Sequence, residues 1–286
     1  MITGQYLDGY MMSFTEEDLV NMTNHRIAEM KKIDPVFEYV ACPLCKSEVV
    51  DVLIEVENEG ALGVCKECGV SYAYYRPVQE ALRFMYMYYT PSSLTNPEVR
   101  EENAKKRPFQ LNYDLDEIER HTVRGRLLDV GCASGDFLAY ARVRGWGVEG
   151  TELSGNCIRF VNEIMNIHVH YGHLLEIDFS PSNYDAISLR HSVEHLTNPV
   201  EELKHLGERL TPSGVLFITT PEHAKDPAVL KEKHMLPLHV VNYTEETMQI
   251  LLEKAGFKMV KYECIPAGHF TTNADIDCMM VVAAKL

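Results

Sequence analysis

Basic side chains are scarce in this chain: 27 Lys and Arg stand against 42 Asp and Glu, a formal net charge of −15 over 286 residues. That shortage argues against tight, sequence-indifferent binding to nucleic acid, which needs clustered cations to displace counterions. There is also no uninterrupted run of the roughly 18 apolar residues that a membrane-spanning helix requires. The opening MITGQYLDGY lacks the basic flank and apolar stretch of a secretion leader, so the expected location is cytoplasmic. Internal repeats and low-complexity tracts are missing too. With 46% hydrophobic and 24% charged residues, the composition excludes a disordered chain, a collagen-like repeat and a coiled coil. At about 150 residues per domain, the length fits roughly two domains.

What is present is unevenly spread. Of eight cysteines, four fall between Cys42 and Cys68, and the others (Cys132, Cys157, Cys264, Cys278) are scattered. Without a leader, thiols in a reducing compartment are expected rather than a disulfide framework. Cys42-Pro-Leu-Cys45 and Cys65-Lys-Glu-Cys68-Gly each place two sulfurs around a tight turn. Four thiolates about 2.3 Å from one cation satisfy the tetrahedral preference of Zn²⁺. Pro43 and Gly69 suit the two turns, and a pair at each end of a short hairpin reads as a zinc ribbon. Four protein ligands leave no open position, so the expected zinc is structural, replacing a core that about 40 residues cannot build alone.

Residues 15–33 carry Leu19, Met22, Ile27 and Met30 at helical spacing behind a Thr15/Asp18 cap, which predicts an amphipathic helix. The expected organisation is a helical segment over 1–36, the ribbon and an aromatic connector over 37–90, a linker with a short helix over 91–120, and a larger domain over 121–286. From Arg126 onward strands alternate with helices, the pattern of a mostly parallel α/β sheet covered on both faces. RLLDV, WGVEGTEL, YDAISL and VLFITT read as strands, and FKMVKYE and CMMVVAAKL as closing strands. Ser154 and Thr244 are expected helix caps, and Gly145 and Gly256 expected helix stops.

The strand RLLDV runs into Gly131-Cys132-Ala133-Ser134-Gly135-Asp136 and then a helix. Glycines there let backbone approach a ligand where a Cβ would collide. A dinucleotide fingerprint wants G-x-G-x-x-G with pyrophosphate on the helix dipole. Here Asp129 precedes the bend, an anion that repels phosphate but suits an ammonium group, and Glu152 ends the next strand where it can accept from two ribose hydroxyls. Together they favour a cationic nucleoside without phosphate, which is S-adenosylmethionine.

The segments LLDVGCASGDFL, VEGTELS, YDAISLRHSVEHLTNP, LTPSGVLFITTPEH and the helix ending in KAGF resemble the class I S-adenosylmethionine-dependent methyltransferases. More narrowly, the chain resembles the branch with an N-terminal zinc ribbon that is tied to sugar and secondary-metabolite pathways, and YAYYRPVQEALRFMYMYY supports this. The resemblance implies a Rossmann-like seven-stranded methyltransferase sheet. It also implies that Asp129, Gly131, Cys132, Ala133 and Gly135 form the methionine side of the pocket. Glu152 would hold the ribose, Leu153, His173 and Leu174 would flank adenine, and Arg190 and His191 would lie beside the methyl group. Ala133 departs from the G-x-G-x-G usual in this family.

Methyl transfer requires an acceptor held about 3 Å from an activated carbon with water excluded. A hydroxyl or carbon acceptor also needs a base. His191, Glu194 and His195 at the sheet's ligand-binding edge, with His223 after the fifth strand and His239 and Tyr243 before the last helix, are the candidates, His191 first and His239 next. His168 and His170 read as structural. No histidine pair shows helical ligand spacing beside a carboxylate, so no second metal site is expected. The segment 221–243 and the aromatics between Tyr72 and Tyr89 are candidate covers for an acceptor. The expected activity is methyl transfer to a small molecule such as a sugar, nucleotide-sugar or secondary metabolite. The alternatives are an RNA base methyltransferase that docks substrate on its ribbon, disfavoured by charge and by SLRHS after the fourth strand, and a non-catalytic cofactor-binding adaptor.

Overall fold

The structure is a computed structural model that describes residues 36–91, 94, 96–179, 183–222, 235–266 and 277–286. The helix expected over 15–33 and the candidate His223 lie outside the described residues. Four strands come first, β1 (Phe37–Tyr39), β2 (Val50–Val56), β3 (Gly60–Cys65) and β4 (Ser71–Pro77), paired antiparallel in the order β1-β4-β3-β2. The β2–β3 hairpin closes at Gly60, whose φ is +117° and where a side-chain Cβ would lie only 2.3 Å from the Tyr75 carbonyl oxygen, leaving room for no side chain. Two helices follow, α1 (Gln79–Met87) and α2 (Pro97–His121).

The expected linker is therefore largely helix. Prolines and alternating charge disguise it in the sequence, but Pro97 sits in the first turn, where its missing N–H costs nothing, beneath an Asn96 cap. Leu111, Leu115 and Ile118 share one face and are buried in a cluster with Leu127, Phe137 and Leu138. Tertiary burial of that stripe outweighs the weak local signal.

The remaining elements are β5 (Arg126–Val130), α3 (Asp136–Val143), β6 (Gly147–Glu152), α4 (Gly155–Arg159), β7 (His168–Tyr171), β8 (Tyr184–Arg190), α5 (Pro199–Gly207), β9 (Leu210–Pro221), β10 (Val241–Asn242), α6 (Glu245–Lys254), β11 (Phe257–Ile265) and β12 (Cys278–Lys285). They form a seven-stranded sheet in the order β11-β12-β9-β8-β5-β6-β7. β5 to β9 pair in parallel, and β12 is antiparallel to both its neighbours. This is the seven-stranded, mostly parallel α/β sheet expected from the sequence. Ser154 caps α4 by accepting from the Cys157 N–H at 3.3 Å. Thr244 and Thr247 cap α6 reciprocally, and Gly145 and Gly256 follow their helices at φ 96° and 85°.

The ribbon sheet does not stand apart. β10, which belongs in sequence to the large unit, pairs with β4. Cys42, Leu44, Cys65 and Tyr72 share one buried cluster with Val130, Val193, Tyr243 and Met248. Among the described residues no helix is long and apolar enough to cross a membrane. Leu115→Ala should leave a cavity beneath α2 and lower stability by about 2–5 kcal/mol, read from the denaturant midpoint at constant m-value.

Candidate active site

The site lies beyond the carboxyl ends of the parallel strands, where open α/β sheets bind ligands. The bend after β5 is held by its neighbours. The N–H groups of Gly131 and Cys132 both donate to the Thr151 carbonyl oxygen, at 2.9 and 3.0 Å. A Cβ on Gly131 would meet Ser192 Oγ at 2.6 Å, and Ser192 itself donates to the Val130 carbonyl oxygen at 2.7 Å. Gly131, Ala133 and Gly135 all have positive φ, at 71°, 47° and 72°. The bend needs three left-handed residues, and Ala133 accepts that conformation with a side chain attached. The Cys132 side chain points into the buried cluster with Phe137 and Leu138, so its part in the bend is played by its backbone.

Asp129, 3% exposed, accepts from Ser188 Oγ at 2.6 Å. Burial pushes its carboxyl up to about 6, against the nearby positive charge of Arg190 and the Ser188 hydroxyl. Glu152 ties the bend to β6. Its Oε1 accepts the N–H groups of Leu153 and Ser154 at 2.7 and 2.9 Å, and Oε2 accepts that of Ala133 at 2.8 Å. Burial nonetheless raises its pKa, opposed by those three donors. Leu153 is half-buried on the same edge. His173 Nε2 lies 2.9 Å from Glu202 Oε1 of α5, and Leu174 is buried in the cluster that holds Val130 and Val193.

Arg190 donates through Nε to Asp114 Oδ2 at 2.8 Å, and its guanidinium lies 4.6 Å over the Phe137 ring. Asp114, buried on α2 beside Leu111 and Leu115, was not among the residues singled out in the sequence. The available signal was a carboxylate falling on the apolar face of a helix that prolines concealed. Arg107 of the same helix pairs with Asp136 at the start of α3. α2 is thus fastened over the bend at two points.

His191, exposed at the end of β8, has a φ of 53°, and its N–H donates to the Thr219 carbonyl oxygen at 2.7 Å. Its Nδ1 lies 3.7 Å from Oε1 of the buried Glu194. Burial would raise the Glu194 carboxyl, but His191, His195 and His239 together hold it at about 2. Ligand atoms of Glu194, His195 and His239 all lie within 4.8 Å of one another. Tyr243 is wholly buried, and burial and the Glu194 charge push its phenol well up. Tyr86 of α1 brings the aromatic connector into this corner: its hydroxyl lies 2.9 Å from His195 Nδ1 and donates to the Leu238 carbonyl oxygen at 3.1 Å. Farther along the connector, the Tyr89 carbonyl oxygen accepts from Ser154 Oγ, and Thr90 Oγ1 accepts from Asn156 at 2.9 Å. His170 is engaged away from this edge, with Nε2 3.1 Å from Glu149 Oε2.

The four cysteine sulfurs cluster within 4.8 Å, with Cys42–Cys68 at 3.5 Å and Cys45–Cys65 at 3.4 Å. The two turns repeat each other: Lys46 N–H donates to the Cys42 carbonyl oxygen and Gly69 N–H to that of Cys65, both at 2.9 Å. Tetrahedral zinc at about 2.3 Å from each sulfur fits this donor set. Ala133→Gly should relieve the left-handed strain of the bend and raise stability by up to about 1 kcal/mol, measured as a shift in denaturant midpoint.

A family model described as a methyltransferase domain matches residues 98–262. An uncharacterized methyltransferase of Staphylococcus carnosus is 30% identical over 126 residues, covering 42% of this chain and 59% of that protein. The mitochondrial ubiquinone biosynthesis O-methyltransferase of Saccharomyces cerevisiae is 27% identical over 151 residues, covering 44% of this chain and 47% of that one. The matched region thus spans about half the length of these curated relatives. In fold, a crystal structure of a SAM-dependent methyltransferase from Methanosarcina mazei superimposes with a TM-score of 0.52 at 15% identity, over 59% of this chain and 96% of that one. With the family matched across more than half its length, this chain belongs to the methyltransferase-domain family and has the class I S-adenosylmethionine-dependent methyltransferase fold.

Proposed function

We propose that the chain transfers the methyl group of S-adenosylmethionine to a small-molecule acceptor such as a sugar, nucleotide-sugar or secondary-metabolite intermediate. The observation that carries the reading is the left-handed bend at Gly131, Ala133 and Gly135, flanked by buried Asp129 and by Glu152 at the end of the adjoining strand. Asp129 faces the cofactor's ammonium group. Glu152 ties the bend to the turn after β6, accepting the N–H of Ala133 on one side and those of Leu153 and Ser154 on the other, and presents its carboxylate to the ribose. The reaction itself is an in-line displacement at the sulfonium methyl, so the protein's tasks are to place the acceptor, exclude water and remove a proton where the acceptor carries one.

His191 is the proposed base: it stands exposed at the end of β8, with Glu194 behind it to stabilise the imidazolium that forms. Tyr243 keeps its proton because its phenol is buried, which makes it a packing and polar group rather than a base. The similarity to an O-methyltransferase supports a hydroxyl acceptor, and the net charge of −15 supports a small molecule over RNA. Arg190 is proposed to act through position, as the partner of Asp114 beneath the methyl group, and His173 through Glu202. The ribbon is proposed to hold one structural zinc on Cys42, Cys45, Cys65 and Cys68.

Calorimetry with S-adenosylhomocysteine should show binding that Asp129→Asn weakens about 10- to 150-fold, the worth of a hydrogen bond to a charged group. Absence of binding to the wild-type protein overturns the reading. The pH dependence has a defined sign. Because the Asp129 pKa rises from 3.8 to about 6 on folding, the ligand-free protein should lose up to about 3 kcal/mol of stability as pH climbs through that window. A cationic ligand reverses the shift, so its binding near pH 6 should release a fraction of a proton, read by calorimetry in buffers of different ionisation enthalpy. Asp129→Asn should abolish that release. Elemental analysis should find one zinc per chain in the wild type. Cys65→Ser should lose it, with a lower thermal midpoint for the whole chain because the ribbon shares its core with the sheet.

A further inference from the structure

Glu194 is a buried carboxylate in need of a partner. It is 1% exposed, and neither carboxylate oxygen accepts a hydrogen bond. His191 Nδ1 lies 3.7 Å from its Oε1, beyond hydrogen-bond reach. Buried carboxylates are stable only when paired, hydrogen-bonded or bound to a metal. Around this one, His195 and His239 supply nitrogen atoms such that all three donor groups lie within 4.8 Å.

The orientation of His195 adds a second, independent observation. Its Nδ1 lies 2.9 Å from the Leu238 carbonyl oxygen, an atom that can only accept, so the Nδ1 hydrogen is given to the backbone and Nε2 is the ring nitrogen left for a ligand. Tyr86 braces the same carbonyl and the same ring nitrogen from α1. A ring N–H given to a backbone carbonyl is the usual way a ligand histidine is fixed in tautomer and direction. The backbone also holds His239 in place: Val240 N–H donates to the Glu194 carbonyl oxygen at 2.9 Å. The residue next to His239 is thus paired with the residue that supplies the carboxylate.

We propose that Glu194, His195 and His239 bind a divalent first-row transition ion, separate from the cysteine site, and that the ion takes up the acceptor through its oxygen. Two imidazoles and one carboxylate suit Zn²⁺, Mn²⁺ or Fe²⁺ better than Mg²⁺ or Ca²⁺, which prefer all-oxygen shells. Three protein ligands leave open positions, as catalytic rather than structural sites do. An acceptor with two adjacent oxygens, such as a vicinal diol or a hydroxyketone, fits those positions.

The catalytic role rests on the methyl-transfer reading given above. In it, the metal-bound hydroxyl gives its proton to His191, and the resulting oxygen forms a bond to the sulfonium methyl carbon. The carbon–sulfur bond breaks with its electron pair passing to sulfur, leaving a neutral thioether and the methyl ether. The ion lowers the hydroxyl's pKa in the way it does for bound water.

The test uses the full chain with its ribbon loaded with zinc. Titration with Mn²⁺ alone, followed by electron paramagnetic resonance of the unbound ion, and then with Zn²⁺ alone, followed by elemental analysis, should show a second ion per chain. Glu194→Gln and His239→Asn should each abolish it, while His168→Gln on β7 leaves it unchanged. Ribbon zinc and the far-ultraviolet circular dichroism spectrum, retained in each variant, show that the chain is folded. No second ion of either kind, or a second ion that survives both substitutions, overturns the proposal. S-adenosylhomocysteine binding measured on the same samples separates the two ideas: a metal without the nucleoside refutes the methyl-transfer reading alone, and the nucleoside without a metal refutes this one alone.

Discussion

Val240 spends both of its backbone hydrogen-bonding groups across boundaries. Its N–H donates to the Glu194 carbonyl oxygen, in the turn after β8, and its carbonyl oxygen accepts the Ala73 N–H of β4 at 3.0 Å. One peptide-chain crossing therefore joins the ribbon sheet, the segment carrying His239 and the strand end carrying His191, Glu194 and His195. Buried backbone groups must be paired, so none of these three can shift without leaving an orphan. The ribbon's place in the fold follows from this. It forms a wall of the corner that holds Glu194, His195 and His239, with Tyr86 reaching His195 from the helix that follows β4.

The other half of the site depends on a different constraint, the order of the parallel strands. β5 lies between β6 and β8, so the bend after Val130 meets Thr151 and Glu152 on one side and Ser188, Arg190 and Ser192 on the other. Acidic groups are concentrated at this end of the sheet: Asp129 and Asp114 are partly offset by Arg190, and Glu152 by His195. Burial raises all three carboxyls. A positive ligand is the partner that relieves such a pocket. α2 closes it from above through Asp114 and Arg107, which makes the helix before the sheet part of the site rather than a spacer.

Much of this was legible along the chain because its signals are local. The two Cys-x-x-Cys turns announce themselves within 27 residues, from Cys42 to Cys68, since four sulfurs around one ion need only two short turns and a hairpin. The bend from Gly131 to Gly135 is legible for the same reason, as are the Ser154 and Thr244 caps, whose partners lie three residues away. Ala133 shows the limit of local reading: its type says little, and only its φ of 47° shows that the position demands a left-handed residue. α2 was concealed because prolines and charge dominate its local pattern, while its stability comes from Leu111, Leu115 and Ile118 packing on residues far along the chain.

By itself, the sequence determined the class of fold, the cysteine ribbon and the glycine-flanked bend after β5, because each is written in residues close enough together to act on one another without the rest of the chain. Tertiary structure alone decided which side chains meet. Asp114 finds Arg190 across 76 positions, Tyr86 finds His195 across 109, and His239 arrives beside Glu194 on a segment whose own spacing carries no ligand pattern. Such meetings depend on strand order and on backbone pairing between distant segments, and no local periodicity encodes either.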